Sequence, residues 1–119
     1  MDRVEEVKVD EMIADFIRRS KTRYTAAQIR ETMANCPTLV MDDGFLVLDV
    51  DQDECHVLYM YIRPGVNLLP LFEFVVEDVA RHFGCKVIRF ISRRKPEAIM
   101  RTRPGYRPCA ILYERELIY

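Results

Sequence analysis

The chain has 119 residues, half of them hydrophobic, with a formal net charge of −1. That length sustains one compact core and excludes two ordinary domains, so a single domain over 1–119 is expected. The near-neutral balance argues against a surface built throughout for nucleic acid, and no apolar run approaches the roughly 20 residues needed to span a bilayer. The opening MDRVEEVKVDEM is too charged for a signal peptide, which points to a cytoplasmic protein. Cys36, Cys55, Cys85 and Cys109 are widely spaced with no CxxC pair, a pattern for reduced thiols rather than for zinc or a disulfide framework; no metal is expected.

In chain order, Val9, Met12, Ile13, Phe16 and Ile17 share one helical face and predict a helix from about Val4 to Ser20. Thr25-Ala26-Ala27-Gln28 is a capping box, opening a second helix from Ala26 to about Asn35 that Pro37 ends. TLVM, the turn Asp42-Asp43-Gly44, and FLVLDV read as two strands of a hairpin. A third strand, from about Cys55 to Ile62, follows the turn at Asp51-Gln52-Asp53 and completes an antiparallel meander. Strict alternation along it places Glu54 and His56 on one face, and Tyr59 and Tyr61 on the other with Cys55 and Val57.

Arg63-Pro64-Gly65 then turns the chain into a long amphipathic helix. Leu68, Leu71, Phe72, Val75, Val76, Val79 and Phe83 form its apolar stripe, with Asn67 as the expected N-cap, Pro70 in the first turn and Gly84 as terminator. KVIRFIS is a short strand whose helical crossover implies parallel or buried packing. A short helix from Pro96 to about Arg101 is broken by Gly105, and a last strand is predicted from Cys109 to Leu117. The order ααβββαβαβ describes an α/β domain, a mixed, mostly antiparallel sheet flanked by helices.

A long strand, ECHVLYMYIRP, running into a long helix, NLLPLFEFVVEDVARHFGC, then a strand, a short helix and the pair Gly105-Tyr106, resembles the GNAT acyltransferase fold over nearly the whole chain. In size and spare layout it is also similar to small acetyltransferase-like proteins of tailed bacteriophages. The resemblance implies acetyl-CoA as cofactor, gripped where the long strand meets the helix. Tyr61, Ile62, Arg63, Gly65, Val66, Asn67 and Leu68 are then the cofactor-binding positions, and an amine is the acceptor. Acetyl transfer needs a base for the ammonium proton, and Glu54 and His56 near the start of the long strand are the candidate catalytic pair.

The chain departs from the family pattern in two places. The family's pyrophosphate loop, Gln/Arg-x-x-Gly-x-Gly/Ala, is here Arg63-Pro64-Gly65-Val66-Asn67, with one glycine and with Pro64 lacking an amide. The family's general-acid tyrosine, four residues before the Gly-aromatic pair, is replaced by Arg101. A second reading is therefore an inactive, GNAT-derived binding or structural module with a protein partner, in a phage assembly for instance. Arg93, Arg94, Lys95, Arg101 and Arg103 form a basic patch for an anion or an acidic partner. It has no aromatic interleaving and no nucleic-acid motif, so nucleic acid is not the expected partner.

Overall fold

The structure, a computed structural model, describes residues 3–110 and 113–118. Helix α1 spans Arg3–Ser20 and α2 spans Ala26–Asn35. The capping box at the start of α2 is formed in both directions: the Gln28 N–H donates to the Thr25 hydroxyl at 3.2 Å, and the Thr25 N–H to the Gln28 side chain at 2.8 Å. Strands β1 (Thr38–Met41), β2 (Gly44–Asp51) and β3 (Glu54–Ile62) form the antiparallel meander. Helix α3 (Leu69–His82) crosses over to β4 (Val87–Phe90), which lies parallel to β3, and α4 covers Pro96–Thr102. The sheet order is β1-β2-β3-β4.

Each face of the sheet buries its own apolar layer. Val9, Met12 and Ile13 of α1 and Ile29 of α2 pack on Phe45, Val47 and Tyr61. On the other face, Phe72, Val76 and Ala80 of α3 pack on Leu46, Leu48 and Cys55. Gly44 lets the hairpin seat closely on β3 and α3, since a Cβ there would stand 2.4 Å from the Tyr61 carbonyl oxygen and 3.2 Å from the Phe72 ring.

Both ends of α3 follow local chemistry. At its C-terminus Gly84 takes φ 68°, the Gly84 N–H donates to the Arg81 carbonyl (3.1 Å) and the Cys85 N–H to that of Ala80 (2.8 Å), a Schellman motif. The Lys86 N–H then donates to the Asp53 carbonyl at 2.7 Å, bringing β4 alongside the start of β3. At its N-terminus the cap is Leu68, not the expected Asn67. Leu68 already has near-helical dihedrals (φ −99°, ψ −11°) and its carbonyl accepts the first helical bond from Phe72, so Asn67 lies one residue too early to cap.

Two further expectations are corrected. Among the described residues of the predicted last strand, Cys109, Ala110 and 113–117 are not strand, while Ile111 and Leu112 lie outside the described residues. A β-forming composition becomes a strand only through a ladder, and none of those described residues is laddered to β4. The alternation along β3 also breaks. Its register with β2 jumps from Val57↔Leu48 to Tyr59↔Val47, leaving Leu58 as the extra residue of a β-bulge. Tyr59 and Tyr61 therefore face α1 and α2 on the side of Glu54 and His56, while Cys55 and Val57 face α3. No helix among the described residues is long and apolar enough to cross a membrane.

Candidate active site

The sheet opens at the bulge. Strands β3 and β4 are paired only from Glu54↔Val87 to Val57↔Phe90, and β3 continues through Ile62 without a β4 partner. A bulge leaves its extra residue out of the ladder, so Leu58 is laddered to neither neighbour at the point where they part. A cleft of about 500 Å³ begins there, between the two strands, α4 and the segment from Tyr106 to Ala110. Its walls are apolar, with Leu58, Ile88, Phe90 and Met100 among them, and carry His56, Arg89, Arg94 and Arg107. No carboxylate is among the described residues that line it.

His56 does not stand alone. Its Nε2 is 3.0 Å from Glu54 Oε2, and Arg89, its register partner on β4, places Nη1 2.8 Å from Glu54 Oε1. All three side chains are partly exposed. Arg89 anchors the carboxylate, the carboxylate anchors the imidazole, and with Nε2–H donating to Glu54 the Nδ1 nitrogen is the bare one. The Arg89 contact was out of reach of sequence reasoning, because it depends on the β3–β4 register.

The predicted cofactor-binding positions divide. Tyr61 is drawn into the core at 5% exposure, stacked on Phe45, and its hydroxyl donates to Asp15 Oδ2 at 2.6 Å. Burial and the Asp15 carboxylate push this phenol's pKa up, while the Tyr61, Arg18 and Arg19 donors hold the Asp15 carboxyl well below the usual range. Ile62 packs on the α3 face. Arg63 is engaged with the β1–β2 turn: its N–H donates to the Asp43 carbonyl (2.8 Å) and its Nε to Asp43 Oδ1 (3.1 Å). Gly65, at φ 83°, closes a turn in which the Val66 N–H donates to the Arg63 carbonyl at 3.1 Å. Val66 is thus not a free donor. Asn67 is exposed and Leu68 caps α3 through its backbone.

The basic patch divides as well. Arg93, Lys95 and Arg101 are exposed, and Arg94 lines the cleft. Arg103 is withdrawn: its guanidinium lies 4.0 Å from the Phe90 ring centroid and 4.8 Å from that of Tyr106, and it is ion-paired with Glu73 of α3 at 11% side-chain exposure. Two aromatic faces and a counter-charge hold this cation in low dielectric and remove it from the anion patch, with its buried Nε left without a hydrogen-bond partner among the described residues. The Tyr106 hydroxyl donates to Glu73 Oε2 at 3.1 Å, and burial, with the Glu73 charge, pushes its pKa up to about 12. Tyr106 therefore serves as a clamp between the α4 region and α3, its hydroxyl engaged by Glu73.

No family model matches the chain, and no curated protein matches it in sequence. Solved structures do match in fold. An acetyltransferase of Trypanosoma brucei superposes with a TM-score of 0.65 at 12% identity, covering 98% of this chain and 96% of that one. A ribosomal-protein-alanine N-acetyltransferase of Brucella melitensis gives 0.63 at 12% identity over 100% and 95%. The PaiA N-acetyltransferase of Thermoplasma acidophilum, in complex with coenzyme A, gives 0.55 at 12% identity over 86% and 82%. The fold is that of the GNAT acetyltransferases.

Proposed function

We propose that the chain is an N-acyltransferase that moves an acetyl group from acetyl-CoA to an amine. The observation that carries this reading is the parting of β3 and β4 at the bulge, with His56 and Arg89 at the wall of the cleft it opens and Glu54 joining them from behind that wall. The cleft's apolar walls and arginines, with no carboxylate among its described lining residues, suit a long, polyanionic thioester. Acetyl-CoA, when bound, supplies an activated carbonyl. His56 takes the proton of the acceptor ammonium on Nδ1, and Glu54 stabilises the imidazolium that forms. The freed amine would attack the bound thioester carbonyl, the C–N bond forming and the C–S bond breaking, and the departing thiolate would take the second proton that the nitrogen sheds. Leu58, out of both ladders, offers a main-chain donor at the cleft wall for the developing oxyanion.

The test is acetyl transfer to a panel of primary amines, followed by thiol release. His56→Ala should lower kcat/KM by about 10²-fold or more while leaving coenzyme A affinity within twofold. An unchanged kcat/KM would remove His56 from the chemistry.

A second reading has one specific observation in its favour: Arg63 is held by Asp43 and the Val66 amide by Arg63, at the turn where the resemblance puts the pyrophosphate. In that reading the domain keeps the fold as a binding module, within a phage particle for instance, as its small size suggests. Co-purification with a large assembly, together with no thiol release on any amine, would favour it over the enzyme.

A further inference from the structure

We propose that the phosphates of coenzyme A are held by Arg94 and Arg107 in the cleft, and not by the turn at Arg63 that the fold would lead one to expect. The proposal rests on reading the cleft as the coenzyme site, and it names the side chains that do the holding.

The two places differ in charge and in free donors. At the turn, the Arg63 guanidinium is already paired with Asp43 and its Nη2 donates to the Asp42 carbonyl at 3.5 Å, while the Asp42 carboxylate lies 3.7 Å from Lys8. A phosphate arriving there meets the Asp43 carboxylate and displaces an existing ion pair. Main-chain donors are depleted too, since Pro64 and Pro70 have no N–H and the Val66 N–H is engaged by the Arg63 carbonyl. What is left is the bare start of α3, without a side-chain cap.

The cleft offers the opposite. Arg89, Arg94 and Arg107 line it with no carboxylate among the described lining residues, in a chain whose overall charge is −1. Arg89 is engaged by Glu54. Arg94 and Arg107 form no ion pair among the described residues. The loop carrying Arg94 is braced by its own N–H donating to Ser92 Oγ at 3.1 Å. A guanidinium presents a planar fork that matches a phosphate in bidentate fashion, and low-dielectric walls focus its field. Exposed Arg93, Lys95 and Arg101 surround the same loop and α4 and extend the positive field outward.

The experiment is calorimetric titration of coenzyme A into the wild-type chain and into Arg94→Ala, Arg107→Ala and Arg63→Ala, at low and high salt, with thermal melts confirming that each variant folds. Arg94→Ala and Arg107→Ala should each weaken binding by roughly tenfold or more, as loss of a charged hydrogen bond does, and should flatten its salt dependence. Arg63→Ala should stay within twofold of wild type. If Arg63→Ala weakens binding and the two cleft variants do not, the assignment is overturned while the coenzyme reading stands. If wild type binds no coenzyme A at millimolar concentration, the coenzyme reading falls and the assignment with it.

Discussion

Arg103 and Tyr106 show how little a residue's type says about its role. In the sequence Arg103 reads as part of a basic patch and Tyr106 as the aromatic of the Gly105-Tyr106 pair, yet they converge on Glu73 and clamp α4 and the chain beyond it to α3. Removing the carboxylate leaves a mostly buried guanidinium without its counter-charge. Glu73→Ala should cost about 3 kcal/mol of unfolding free energy by urea titration, and a change under about 1 kcal/mol would deny the clamp a structural role. Tyr106 carries the pH signature. Its folded pKa of about 12 lies above the ordinary tyrosine value of 10.0, so the fold favours the protonated phenol. That contribution is complete below pH 10 and is lost as pH rises through 12. Relative to Tyr106→Phe, the wild type should therefore lose stability across that window, and parallel curves for the two proteins would contradict the shift.

At the scale of elements, most of the architecture was legible because it is written in local chemistry. Period-3.6 apolar stripes give α1 and α3, the capping box gives α2, and Gly84 supplies the Schellman stop. The bulge was not legible in the same way. A strand's faces follow from counting by two, and one extra residue reverses the count; the continuous apolar run from Val57 to Ile62 gives no sign of where that happens. That reversal moves Tyr59 and Tyr61 to the face of His56 and opens the sheet. The last strand failed for a complementary reason, since strand formation needs a partner edge that composition does not reveal. Gly44 is the element-level test of how tightly the hairpin seats on β3 and α3. Gly44→Ala sets a Cβ against the Tyr61 carbonyl and should cost roughly 1–3 kcal/mol, read as a lower urea midpoint. A wild-type midpoint would mean that the hairpin does not seat closely on β3 and α3 there.

Across the whole molecule, charge is separated although it nearly sums to zero. Asp42 and Asp43 mark the hairpin end, and Asp49, Asp51 and Glu54 follow along β2 and β3, while Arg94 and Arg107 line the cleft between β3, β4 and α4. The sequence exposes that polarity but not its destination. Whether an arginine faces a cleft, pairs across a register or disappears between two rings is decided by tertiary contacts, as Arg94, Arg89 and Arg103 illustrate in turn. The candidate base was legible as the pair Glu54 and His56; its third member and the cleft it faces belong to the sheet. The central claim is that this cleft binds coenzyme A, and titrating acetyl-CoA into the wild-type protein tests it most directly. The account predicts saturable binding and, at 100 times Kd, a stabilisation of about 2.7 kcal/mol in thermal unfolding. No heat of binding and an unmoved Tm at millimolar ligand would contradict it.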